Sequence, residues 1–149
     1  MMSKAGVHAH FSKLVSLKID QLKNQLSDLS ASTANETKST AGDKYETGRA
    51  MLQIEQDNVR TQLQQVLEQK AALDTIGIDK KSIIIERGSL ILTNNGWFFL
   101  SIALGKQLID AVSVTAISPQ SPLGSKMIGL KVSDRFQLNQ KDYQIEGLM

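Results

Sequence analysis

The chain has 149 residues, of which 41% are apolar but only 5% aromatic, and its formal net charge is +2. That length accommodates one ordinary domain, or a small domain plus an extended element, and the absence of cysteine excludes disulfides and thiolate metal sites. Charge is uneven: Met1–Asp79 carries nine Lys/Arg against ten Asp/Glu, a net of −1, and Lys80–Met149 carries eight against five, a net of +3. An excess that small is ordinary solvated surface before it is a nucleic-acid footprint.

From Ser3 to Asp74 there is no proline, and glycine occurs only at Gly6, Gly42 and Gly48. Gln, Lys, Leu, Ala and Glu dominate, so the segment predicts helix. His8, Val15, Leu22 and Leu29 recur every seven residues, with Ile19 and Leu26 four behind Val15 and Leu22. Tyr45, Leu52, Val59, Val66 and Leu73 repeat the spacing, with Leu63 and Lys70 four behind Val59 and Val66. Each arm therefore has one apolar stripe, and neither is stable in water without a partner surface. Ser30–Gly42 has no bulky apolar residue and is rich in Ser and Thr, which predicts a turn with helix restarting near Asp43. Residues 1–76 thus read as an antiparallel helical hairpin of the coiled-coil kind. An arm of roughly 28 residues would be about 40 Å long.

Residues 77–149 read as a compact α+β domain. Ile83-Ile84-Ile85 predicts the beginning of a strand that Ser89–Thr93 continues, and Asn94-Asn95-Gly96 a hairpin turn, because Asn-Gly accepts positive φ. Trp97–Ala103 predicts the returning strand. Further strands are expected over Val112–Ile117, Arg135–Leu138 and Tyr143–Ile145, with a short helix over Ser125–Leu130. The most apolar stretch, Trp97–Leu104, is far shorter than the roughly 20 residues a bilayer-spanning helix needs, and no secretory core is present near Lys4. These features predict a soluble, cytoplasmic protein.

Two carboxylates attract notice. Asp43 and Glu46 lie three apart, on one side of a helix, at the far end of the predicted hairpin. Anionic oxygens held out in this way could carry a hard cation such as Mg²⁺ into a partner's recessed site. The plainer account is an Asp favoured at a helix start and a solvated Glu. Glu36 could add a third carboxylate, and Lys38, Lys44 and Arg49 keep the region near neutral. His8-Ala9-His10 is a poor metal pair, because histidines two apart on a helix do not converge. Trp97, Phe98 and Phe99 read as core before ligand pocket. No phosphate loop, dinucleotide loop or nucleophile elbow is present.

The run Ile117–Asp134 resembles the C-terminal domain of Gre-type transcript cleavage factors. In that family a Ser-Pro-Leu element opens a short helix, a glycine follows near its end, and Gly-Asp precedes a strand. Ser121-Pro122-Leu123, Gly129 and Asp134 match, while Ser133 stands where the family has glycine. Ser121 suits an N-cap, Pro122 the first helical position and Gly129 a helix exit. The order of parts is similar too, since the family places a helical hairpin before a domain resembling FK506-binding proteins.

The family's hairpin tip carries Gly-Asp-x-x-Glu, and Gly42-Asp43-Lys44-Tyr45-Glu46 has that spacing. The resemblance implies that this chain binds bacterial RNA polymerase as a monomer, with Asp43 and Glu46 sharing a Mg²⁺ with the polymerase near the nascent RNA 3′ end. Lys38, Lys44, Arg49, Ser121 and Pro122 would be contacts. No cofactor is expected in the free protein, which would serve the polymerase and not be an enzyme itself. The family's tip continues Asn-Ala-Glu-Tyr, whereas Thr47-Gly48-Arg49-Ala50 follows here. A polymerase regulator that does not promote cleavage is therefore the alternative, and a peptidyl-prolyl isomerase a more distant one.

Overall fold

A computed structural model describes residues 2–38 and 42–149, and the side chains of all of these except 33–38 and 42–47. The protein is α+β: helices α1 (Lys4–Lys38) and α2 (Gly42–Asp74) precede a six-stranded sheet and one short helix. It forms two compact units, one of residues Leu14–Lys70, the other of Met1–Lys13 together with Ala71–Met149.

In the helical unit the seven-residue stripe becomes the seam. Val15, Ile19, Val59 and Val66 are buried, and Leu22, Leu26, Leu29, Leu52 and Leu63 are half-buried. Gln56, four behind Leu52, is buried in the same seam. A polar residue at such a position costs stability and fixes register. Most of the stretch expected as a turn is helix instead, because α1 continues to Lys38. Ser and Thr are only mildly unfavourable in a helix, and neither glycine nor proline interrupts that stretch before Gly42.

The second unit is built on a sheet of strands β1 (Leu90–Thr93), β2 (Gly96–Leu100), β3 (Gly105–Ile109), β4 (Val112–Ile117), β5 (Arg135–Leu138) and β6 (Lys141–Leu148). Their order is β3-β4-β2-β1-β6-β5, with β2 and β4 parallel and every other pair antiparallel. Side chains alternate between two covered faces. On one, Phe99 stacks against Phe11 of the first turns of α1, ring centroids 6.0 Å apart, and meets His8 edge-on. On the other, Ile91, Phe98, Leu100, Tyr143 and Ile145 pack with Ile85 and Met127. The helix α3 (Pro122–Met127) supplies Met127. Burying both faces explains why β1 and β2 read as nearly continuous apolar runs.

Four local expectations change. Ile83-Ile84-Ile85 is not a strand; only Ile85 is buried, and its backbone bonds go to Gly129 and Leu130 instead of a ladder. The short helix starts at Pro122, not Ser125, because Ser121 caps it there. In the turn after β1, Thr93 pairs with Gly96, so Asn94-Asn95 is the loop, and only Gly96 takes positive φ. Strand β3 has no counterpart in the sequence reading. Its hairpin turns on Asp110 and Ala111, with φ of 49° and 64°, so no glycine announces it.

Candidate functional site

Asp43, Glu46, Lys38 and Lys44 lie outside the described side chains, as does Glu36. Arg49 is described and is exposed on α2. Ser121 and Pro122 sit at the start of α3 in the sheet unit. The structure thus defines one part of the expected site, the turn from Ser118 to Asp134.

That turn is specified almost atom by atom. The Ser121 hydroxyl donates to the Ser118 carbonyl at 2.7 Å and accepts from the Gly124 N–H at 3.0 Å. It therefore closes the turn and caps the helix at once, while Pro122 fills a position that has no N–H to satisfy. Gly124 is buried, and a Cβ there would lie 2.0 Å from the Ser118 oxygen. No side chain fits. Gly124 follows directly on Ser-Pro-Leu, and nothing in that local pattern shows why it must be glycine.

The exit is as constrained as the entry. Ile128 donates to the Gly124 carbonyl at 3.1 Å, and Gly129 turns the chain at φ +84°. Further on, Ser133 has φ +82° and is held there by its N–H to the Ile145 carbonyl at 2.8 Å. An L side chain is disfavoured in that region, so glycine at this position is a backbone requirement that Ser133 meets only with strain. Asp134 closes the turn by accepting from the Lys131 N–H at 2.9 Å. With Leu123 packed on the core and Met127 wholly buried, Pro122, Ser125, Lys126 and Ile128 are left on the outside. Together they make an exposed patch of three small or apolar groups and one cation.

Other candidates resolve into structure. His8 Nε2 donates to the Leu73 carbonyl at 2.8 Å, and His10 Nε2 faces Gln107 Oε1 at 3.4 Å, so the two rings serve different partners. Among the described residues no cluster of three His, Cys, Asp or Glu could hold a metal ion. The aromatic residues divide between the faces of the sheet: Phe99 faces α1, whereas Phe98 and Tyr143 belong to the opposite core, where Phe136 stacks on Tyr143 at 4.9 Å. Burial pushes the Lys4 amine below the ordinary lysine pKa, opposed by Glu86 and aided by Lys80. None of the described helices is long and apolar enough to cross a membrane.

No family model matches the chain, and no curated protein does. Among solved structures, one described as the structure of the transcription factor Gfh1 is similar. The match covers 99% of this chain and 95% of that one, at 15% identity and a TM-score of 0.38. Similarity at that level does not carry a function from one protein to the other.

Proposed function

We propose that this protein is a Gre-like factor that binds bacterial RNA polymerase at its secondary channel and stimulates cleavage of backtracked RNA. The observation that supports this most is the Ser118–Asp134 turn. Ser121, Pro122, Gly129 and Asp134 of the family pattern each meet a backbone need there, Leu123 packs on the core, and the one departure, Ser133, occupies a left-handed conformation that glycine would adopt freely. The resemblance is therefore to a shape, and that shape leaves Pro122, Ser125, Lys126 and Ile128 available for docking.

In this reading the sheet unit docks on the polymerase and the helical pair enters the channel. Asp43 and Glu46 would lend carboxylate oxygens to a Mg²⁺ held chiefly by the polymerase, and the polymerase itself would cut the RNA. An exposed carboxylate pair binds Mg²⁺ weakly alone, because the ion keeps its waters until further ligands converge. Lys38, Lys44 and Arg49 would meet phosphates or acidic polymerase residues.

The test is cleavage by stalled elongation complexes with and without the protein, at concentrations where binding is demonstrated. Stimulation is expected, and Asp43→Ala with Glu46→Ala should remove it while binding persists. Full binding without any stimulation would overturn the cleavage role. It would favour a channel-binding regulator, the reading already suggested by Thr47-Gly48-Arg49-Ala50 and the exposed Arg49.

A further inference from the structure

The isoleucine run that fails to form a strand leaves an apolar surface without a structural purpose. Ile85 donates to the Leu130 carbonyl at 2.7 Å and accepts from Gly129 at 2.8 Å, which lays residues 82–85 alongside 129–132. Ile83, Val132 and Leu148 then line a cleft of about 350 Å³. A second cleft of about 510 Å³ shares Ser82 and Leu148 with it and extends past Ile78 to Met149. Ile83 is 85% exposed, Val132 47% and Met149 42%. A polar residue at position 83 would lose almost no burial, yet isoleucine stands there.

Charge around this floor is one-sided. Lys4, Lys80 and Lys81 border the larger cleft and Lys131 the smaller, against a single lining acid, Asp79. Lys80 is engaged by Glu86 at 3.1 Å, and the Lys4 amine donates to the Lys80 carbonyl at 2.8 Å. Among the described residues Lys81 and Lys131 form no ion pair.

We propose that this lysine-rimmed groove docks an acidic amphipathic helix of a protein partner, apolar residues seated between Ile83, Val132 and Leu148 and carboxylates reaching Lys81 and Lys131. An apolar helix face laid in an apolar groove, with charge fixing its direction, is a general recognition mode. A bilayer is the poorer occupant. The floor lies in clefts, and it has none of the Trp, Tyr or Phe that anchor proteins at a lipid interface. Lys131 and Val132 belong to the far end of the Ser118–Asp134 turn, but the groove uses none of Pro122, Ser125, Lys126 and Ile128, so it stands whether or not this protein acts on RNA polymerase.

The probe is a fluorescent synthetic helix with leucines at i, i+3, i+4 and i+7 flanked by glutamates, titrated with the full-length protein and followed by anisotropy. Saturable binding is expected, falling about tenfold in Lys81→Glu with Lys131→Glu. The same double variant should bind a lysine-bearing version of the peptide better than the unaltered protein does. Ile83→Asp should weaken binding with an unchanged circular dichroism spectrum, since the side chain is on the surface. Equal binding of the glutamate and lysine peptides, or a double variant within about twofold of the parent, would overturn the proposal. So would a peptide that does not bind while phosphatidylserine vesicles capture the protein.

Discussion

The two units are held together by different means. In the sheet unit Phe99, Leu90, Leu100, Met127 and Phe11 are completely buried, and both faces of the sheet are covered. Among its described residues the helical unit buries four apolar side chains, Val15, Ile19, Val59 and Val66, places Gln56 among them, and lines a neighbouring cleft with Gln21, Gln25, Gln62, Gln65 and Gln69. A helix satisfies its backbone internally, so it survives with a thin, partly polar seam; a sheet of short strands must be sealed to persist. The sheet unit therefore depends on its packed side chains, and the helical unit more on hydrogen bonds within its own backbone.

The strongest way to break this contrast is Phe99→Ala. Removing a ring that stacks on Phe11 and packs under the sheet should destabilise the sheet unit by about 3–5 kcal/mol. Amide exchange should rise over residues 90–117 and change less over 14–70. Equal acceleration in both would mean that they unfold together and that the distinction has no energetic content.

Gln56→Leu probes the other side. Replacing the buried amide by an apolar side chain should raise the stability of the helical unit by about 1 kcal/mol, at some loss of register. Denaturant unfolding followed by helical circular dichroism reads the first, and disulfide trapping of cysteine pairs placed along the seam reads the second. A loss of stability instead would show that the amide's hydrogen bonding outweighs its desolvation.

Ser133→Gly is the smallest and most local change. Relief of an L side chain at φ +82°, less the added freedom of glycine in the unfolded chain, should leave the protein about 0.5–1 kcal/mol more stable. Thermal unfolding measures it. An unchanged or lowered midpoint would mean that the turn relaxes around Ser133.

Periodicity carried much of the fold. The seven-residue stripes located the buried seam, because helical geometry alone decides which side chains share a face. Ser121, Pro122 and Gly129 could be assigned cap, first-turn and exit roles from residue chemistry, and each takes that role. What failed to show locally was set by distant groups. Ile83-Ile84-Ile85 has strand composition, but the ladder position it would need goes to β6, which pairs with β1. Strand β3 carries Lys106 and Gln107 and ends in a turn without glycine; its edge position beside β4 makes it a strand. Gly124 reveals its necessity only when the Ser118 carbonyl is folded beneath it, at a distance no Cβ could share. Local residue chemistry sufficed wherever the determining contact lay within a few positions along the chain. Tertiary packing decided where that contact came from another strand, since backbone pairing and excluded volume act between atoms that sequence spacing does not bring together.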